Sequence, residues 1–393
     1  MYPDLSYLFH DLIGTEPDNW LSIFKTFGFF LLMAFVSAAW LLKLELKRRE
    51  KLGQFSSKTY TIEKNPANKT SDIVVNGIVG FLLGYKLPYA FSHFDEWKID
   101  PASVLLSTDG NFLTGILGAA LFAGYYYWLG KRDKEVYPKD IQIFPSDRIG
   151  PITFAAAIGG LIGAKVFAII EDLPSFFRDP AGVFFSGTGL AIYGGLIGGA
   201  VAVIWYLRKH KIDVLPFTDA VAPALMVSYG VGRIGCQLSG DGDWGITAGP
   251  QPDWWFLPDW MWSFTYPHSV IFPQLEPGRV PYANAVALPD CDLQYCYELA
   301  EAAYPTPFYE TMMAFAIGAI LWSLRKRLTP VPGLLFAIYL VFNGIERFCI
   351  EFIRVNDTYD FAFGLTQAQI IAVGFMLTGL WMAWWSKKKS SLS

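Results

Sequence analysis

Nine stretches of mostly apolar residues run through this chain, each about 20 residues long, the length an α-helix needs to cross the roughly 30 Å core of a bilayer. They cover residues 21–43, 72–92, 111–130, 150–170, 189–207, 218–237, 306–324, 332–353 and 365–385. Only 17% of the 393 residues are charged and 53% are hydrophobic, against roughly 25% charged in an average soluble domain. Water is therefore not the main solvent. Basic clusters set the direction of the stretches, because short cytoplasmic loops collect Lys and Arg. Lys47, Arg48, Arg49 and Lys51 follow the first stretch; Lys131, Arg132 and Lys134 the third; Arg208, Lys209 and Lys211 the fifth. Arg325, Lys326 and Arg327 follow the seventh, and Lys387, Lys388 and Lys389 the ninth. Every odd stretch then ends in the cytoplasm. The expected fold is an all-α polytopic membrane protein of about nine transmembrane helices, with its N-terminus outside and its C-terminus cytoplasmic. Trp381, Trp384 and Trp385 fall where an interfacial aromatic belt belongs. The first residues, MYPDLSYLFHDLIGTEPDNW, are acidic and lack the cationic start of a cleavable signal peptide, so they are expected to be retained on the outer side.

A net charge of −4 argues against nucleic acid as a partner, since that needs a basic footprint. The four cysteines, Cys236, Cys291, Cys296 and Cys349, have none of the paired spacings of a zinc site, and neither a metal nor a cofactor is expected. Cys291 and Cys296 sit five apart in a polar loop, where they are either a disulfide, if the loop faces an oxidising compartment, or two free thiols.

The chain repeats itself. Residues 71–132 match 150–211 at an offset of 79, setting Gly80 on Gly159, Gly84 on Gly163 and Lys86 on Lys165, and DPASVLLSTDGNFLTG on DPAGVFFSGTGLAIYG. About 15 of 62 positions are identical without a gap, which identifies a duplicated helix pair. The glycine spacings are small-xxx-small patterns that let helices approach closely, and packing is their ordinary use. The longest interruption, 238–305, is too long and too aromatic for a simple connector and is expected to be a small extracytoplasmic cap. Its tryptophans either dock at the headgroup level or fill the cap's own core. The expected organisation is 1–70, an outer segment, first helix and cytoplasmic connector; 71–134, the first repeat copy; 147–237, the second copy plus the helix carrying GRIG; 238–305, the cap; and 306–393, a C-terminal three-helix part.

Ionisable residues within the apolar stretches are the sharpest signal, because each costs about 2.5–3.5 kcal/mol at a helix centre. Lys165, Arg233 and Arg347 each lie about 14 or 15 residues into a helix running outward, which at 1.5 Å per residue puts all three about 21–23 Å from the inner boundary. Glu310 and Tyr193 start helices that run the other way and reach the same layer, and Glu351 stands one turn beyond Arg347. Such residues either tie helices together as ion pairs, snorkel to the headgroups, or bind an anion. The planar fork of arginine suits a phosphate held bidentately, and a phospholipid headgroup is the anion at that depth.

These residues lie in runs that carry a likeness. GLAIYGGLIGG, TDAVAPALMVSYGVGRIGCQLSGDGDWG, YPTPFYE, GLLFAIYLVFNGIERFCIEFIRVND and LTQAQI, over roughly 147–385, resemble the prolipoprotein diacylglyceryl transferases in order and topology. The resemblance implies a bacterial inner-membrane enzyme that moves the diacylglyceryl group of phosphatidylglycerol onto the lipobox cysteine of a preprolipoprotein, making a thioether and releasing glycerol phosphate. It implies that Arg233 and Arg347 hold the headgroup, that Glu310 and Glu351 match family acids, that Asp241 stands near a family glutamate, and that Lys165 replaces an arginine. Departures accompany it. Tyr193 and Tyr304 stand where the family has histidines, Cys236 replaces an asparagine, Asn343 replaces a tyrosine, and 71–132 has no counterpart in the family's plan.

The reaction that the resemblance implies would be a displacement at a glycerol carbon by a thiolate, with phosphate as leaving group. Arginines would stabilise the departing charge and favour the thiolate. Asp241 or Glu310 would take the proton, and Tyr193 is better suited to a positioning hydrogen bond, since a neutral phenol is a weak acceptor. On this reading Arg233, Arg347, Tyr193, Glu310 and Asp241 are the catalytic candidates, and Lys165, Arg233, Arg347, Glu351 and Asn343 bind substrate. Of the histidines His10, His93, His210 and His268, the expectation for His93 and His268 is a solvated outer loop, and for His210 the cytoplasm. The partners the resemblance implies are phosphatidylglycerol, signal peptides of preprolipoproteins and the bilayer itself. The alternatives are a non-catalytic lipid-binding membrane protein and a transferase with another lipid donor or acceptor.

Overall fold

The computed structural model describes residues 1–62, 70–99, 101–132, 138–185, 191–271, 285–356, 358–359 and 364–391. Lys134, the first two residues of the GLAIYGGLIGG run, residues 272–284 of the expected cap and Asp357 lie outside that set. The chain forms two compact units, residues 1–54 with 211–393, and residues 55–210.

The first unit holds helices α1 (Leu5–Ile13), α2 (Thr26–Lys51), α11 (Val214–Ser239), α12 (Thr306–Leu328), α13 (Leu334–Ile350) and α14 (Gln367–Ser390); the second holds α3 (Thr70–Ser92), α4 (Phe94–Ile99), α5 (Pro101–Leu106), α6 (Phe112–Arg132), α7 (Ile149–Glu171), α8 (Leu173–Arg178), α9 (Pro180–Phe185) and α10 (Ile192–Lys209). A helix thus covers each of the nine apolar stretches. Seven of the described helices are long and apolar enough to cross a membrane. The other two, α10 and α13, have 18 and 17 residues.

In the first unit α2 packs along α11, α11 and α12 pack on each other and on α13, and α13 packs on α14. At their common core Ala222, Met226, Ala314, Leu321 and Leu335 are almost fully buried. The two ends of this bundle differ in chemistry. At one end the buried Glu45 of α2 accepts from Arg48 Nη2 (2.5 Å), Arg49 Nε (2.8 Å) and Arg325 Nε of α12 (3.2 Å), so the basic ends of α2 and α12 are tied together. Nearby, the Asp219 carboxylate of α11 accepts from the backbone N–H of Gly333 (2.7 Å) and of Phe336 (2.9 Å). A buried anion there neutralises the exposed donors at the start of α13. At the other end α11 stops at Gly240, whose left-handed backbone (φ 65°) reverses the chain, and Thr366 and Gln369 cap α14 reciprocally.

The second unit shows the duplication as structure. Helix α3 and α7 begin 79 residues apart, as do α4 and α8, and α5 and α9, so each copy is a long helix, two short ones and a long helix. The closing helices α6 and α10 begin 80 apart. Backbone contacts confirm the shift. A methyl on Gly80 would collide with the Gly118 carbonyl and one on Gly84 with that of Thr114, whereas Gly159 and Gly163 meet Gly198 and Gly194, both 80 residues on. The uniform offset of 79 is therefore corrected by one inserted residue in the second copy, and the counterpart of Tyr193 is Leu113.

The chain is not purely helical. Strands β1 (Lys58–Ile62) and β2 (Lys139–Ile143) form an antiparallel ladder with Lys58 opposite Ile143. β3 (Ala285–Ala287) pairs with β4 (Tyr297–Leu299), and β5 (Thr358–Tyr359) with β6 (Leu365–Thr366). Cys291 and Cys296 are disulfide-bonded in the β3–β4 connection. His268 is not a solvated loop histidine: it is half-buried, with Nδ1 at 2.6 Å from the Tyr295 carbonyl and its ring 5.5 Å from that of Tyr7. His93 is half-buried too, its ring tilted against that of Tyr89 at 4.2 Å.

Candidate functional site

The charged residues of the first unit meet at the end of the bundle opposite Glu45. Glu310, in the second turn of α12, is fully buried and sits at the centre. Its Oε2 pairs with Arg233 Nε of α11 at 2.7 Å, and its Oε1 with Arg347 Nη1 of α13 at 3.2 Å and Arg354 Nη1 at 3.4 Å. Asp243 bridges from the loop after α11, binding Arg233 Nη1 through Oδ2 and Arg354 Nη2 through Oδ1 at 2.5 Å. Glu351 completes the set, with Arg347 Nη2 at 2.8 Å on one oxygen and Thr366 Oγ1 (2.8 Å) and Asn356 Nδ2 (2.6 Å) donating to the other. Three guanidiniums from two helices and a turn are thus interleaved with three carboxylates.

Local folding explains why these groups converge. Arg347 and Glu351 are one turn apart, so they share a face. Gly240 and Gly242 both have positive φ, letting the chain fold back tightly after α11, and the Asp243 N–H donates to Asp241 Oδ1 at 3.3 Å. The return path is pinned by Thr306 Oγ1 donating to the Asp243 carbonyl (2.6 Å) and by the Ile246 N–H donating to the Ile353 carbonyl (2.8 Å). The last contact fixes the segment carrying Arg354 against the segment carrying Asp243. Arg233 also lies over the Tyr229 ring, 5.2 Å from its centroid. Breaking one such buried pair costs about 3–5 kcal/mol, because the remaining charge is left uncompensated.

Each guanidinium has more N–H donors than it spends on carboxylates, and the arginine side chains keep 10–22% of their surface exposed. The cluster is therefore set rigidly and still open to an anion. Outside the helices the two aspartates diverge. Burial, reinforced by the neighbouring charge of Asp243, pushes the Asp241 carboxyl above its usual range. Asp243 is half-buried, which would raise it, yet Arg233 and Arg354 outweigh that and hold it below. Asp241 is the more basic of the pair. Cys236 Sγ and one oxygen each of Asp241 and Asp243 lie within 4.8 Å of one another, a spacing that a cation could bridge. The two arginines already bound to Asp243 would oppose that cation.

Of the residues expected from sequence, the structure brings together Arg233, Arg347, Glu310 and Glu351, with Asp241 beside them. Asn343 is one turn before Arg347 on α13, its Nδ2 3.9 Å from Met226 Sδ. Lys165 and Tyr193 belong to the second unit, on α7 and in the first turn of α10, each beside one of the touching glycines Gly163 and Gly194. Tyr304 has its hydroxyl accepting from the Gly249 N–H at 3.1 Å. Sequence reasoning missed Arg354 and Asp243. Both lie just past helix ends, Arg354 in extended backbone after the short turn Glu351–Ile353, where helical spacing gives no signal.

The family model described as prolipoprotein diacylglyceryl transferase matches residues 112–385. Phosphatidylglycerol–prolipoprotein diacylglyceryl transferase 2 of Clostridium perfringens is 28% identical over 241 residues, covering 60% of this chain and 78% of the relative. The corresponding transferases of Chlorobaculum tepidum and Chromohalobacter salexigens are 29% and 27% identical, each over about three-quarters of this chain (73% and 74%), and 90% and 94% of their own lengths are covered.

Proposed function

The chain belongs to the prolipoprotein diacylglyceryl transferase family, and from that premise we propose that it transfers the diacylglyceryl group of phosphatidylglycerol to the lipobox cysteine of preprolipoproteins, with the arginine cluster as its phosphate site. The observation that carries the proposal is the meeting of Arg233, Arg347 and Arg354 around Glu310, in the segments that match the family. The lipid phosphate is taken by the guanidinium donors that the carboxylates leave over. The incoming cysteine thiol gives its proton to Asp241, the thiolate attacks the glycerol carbon, and the bond from that carbon to the phosphate oxygen breaks. Glycerol phosphate leaves carrying the charge, which the arginines stabilise where it develops. Glu310, Glu351 and Asp243 hold the arginines in register, and their own basicity is spent on those ion pairs. Lys165 and Tyr193 enter as headgroup-binding and positioning residues on the family resemblance alone, and Asn343 likewise as a substrate contact.

The test is mass spectrometry of lipoprotein N-termini after depletion of the protein. Unmodified preprolipoprotein should accumulate; an unchanged lipoprotein pool would sink the proposal.

The proposed topology is nine crossings of the bacterial inner membrane, N-terminus outside, with 238–305 as an outer cap. The binding of Arg48 and Arg325 by one carboxylate supports it, because those residues end two helices that the scheme sends to the same side. Reporter fusions after residues 51, 134, 211, 327 and 389 should all read cytoplasmic, and a periplasmic signal at any one breaks the scheme.

A further inference from the structure

The segment after Gly249, PQPDWWFLPDWMW, divides its aromatics into two sets. Trp255 and Trp262 turn inward, their rings 5.1 Å apart, and Trp262 Nε1 donates to the Gly249 carbonyl at 2.9 Å. Trp254 and Phe256 turn outward and are 70% and 88% exposed, with Leu257 and Trp260 at 41% and 40%. The outward set is not a floppy tip. Tight turns close it, with the Trp255 N–H donating to the Pro252 carbonyl (3.0 Å) and the Met261 N–H to that of Pro258 (3.0 Å). It is also fastened to a membrane-spanning helix: Tyr309 Oη donates to the Met261 carbonyl at 2.7 Å, and the Trp260 ring lies 5.0 Å from that of Phe308, both partners in the first turn of α12.

That attachment fixes the height of the patch. The first turn of a spanning helix lies at the headgroup level, and side chains packed on it lie at the same level. Residues 234–278 contain no lysine or arginine, so nothing in this segment would hold an anionic partner by charge. Apart from the carboxylates of Asp253 and Asp259 this exposed surface is apolar and aromatic, and aromatic surface at that height partitions into the interfacial zone of a bilayer. We propose that residues 254–260 form a membrane-docking wedge, with Trp254 and Phe256 seated among the headgroups of the leaflet where α12 begins. The wedge and Glu310 hang from the same end of α12, so docking would hold the arginine cluster at a constant depth beside the lipids it draws on.

A fluorescent NBD group on Phe256→Cys, in a chain carrying Cys349→Ser and reconstituted in vesicles of phosphatidylcholine and phosphatidylglycerol, tests this. Phe256 is so exposed that its replacement leaves the packing intact. Glu301→Cys, exposed elsewhere in the same outer segment, is the reference. The expected result is several-fold stronger quenching at 256 than at 301 by lipids bearing a nitroxide near the headgroup, with weaker quenching by aqueous iodide. Equal iodide quenching at the two positions would overturn the proposal. So would shielding of 256 from both quenchers, since that means a protein occupant, whether a peptide or a second copy of this chain.

Discussion

Replacing Arg233 or Arg347 by lysine is expected to lower diacylglyceryl transfer by about two to three orders of magnitude, the usual cost of losing one donor aimed at developing negative charge. Lysine preserves the charge and loses the fork. Arg233 uses Nε on Glu310 and Nη1 on Asp243, and Arg347 uses its two Nη groups on Glu310 and Glu351. A single ammonium cannot span either pair and still present donors to a phosphate. The double change should cost less than the sum of the two singles, as for groups acting on one ligand. Transfer has to be read alongside protein level and membrane insertion. Full lipoprotein modification by either lysine variant would mean that the arginines serve only as ion-pair partners between helices.

Asp241→Asn is expected to lower the rate by about two to four orders of magnitude, the range for loss of a positioned general base. The sign of the pH effect follows from the raised carboxyl. Only the ionised form accepts a proton, so activity should fall as pH drops through that elevated pKa, at higher pH than an ordinary aspartate near 3.9 would require. The asparagine variant should lose this acidic limb and keep the limb of the substrate thiol, near 8.5. A pH–rate profile identical in shape to that of the parent would show that the proton goes elsewhere. The same shift has a cost in stability: burial of the charge weakens the fold above the ordinary aspartate range, and this penalty is relieved as pH falls and the group protonates.

Arg233, Arg347, Glu310 and Glu351 were legible in the sequence because a charge inside an apolar run is expensive and therefore conspicuous. Asp243 and Arg354 sit just past helix ends, where charge is cheap, and no composition argument singles them out. Only the turn at Gly240 and Gly242, with the Ile246 to Ile353 backbone contact, reveals them as partners. The helices followed directly from length and hydropathy. Two-residue and five-residue strands in polar connectors carry too short a pattern to read. The shifted register of α10 was hidden by its own sequence: Gly194 and Gly195 both accept Gly115 as a match, so either offset aligns a glycine. The even choice between core and interface for the cap tryptophans had no answer in composition, because neighbours such as Trp254 and Trp255 differ in exposure, the first lying open and the second half-buried against Trp262.

The ladder of β1 and β2 runs from Lys58 opposite Ile143 to Ile62 opposite Lys139. It clips the chain together at the base of the first helix pair, so everything between Ile62 and Lys139 is, in topological terms, a single long hairpin loop. Strand neighbours in a sheet are about 5 Å apart, a gap that a two-residue turn closes. The first copy is therefore modular. Its length could change without moving either end of the surrounding chain, and its lysine, Lys86, is engaged by the carbonyls of its own loop at Val104, Ser107 and Asp109. Its closing helix α6, however, lies within the residues 112–385 that match the family, so the copy is not wholly foreign to the family's plan.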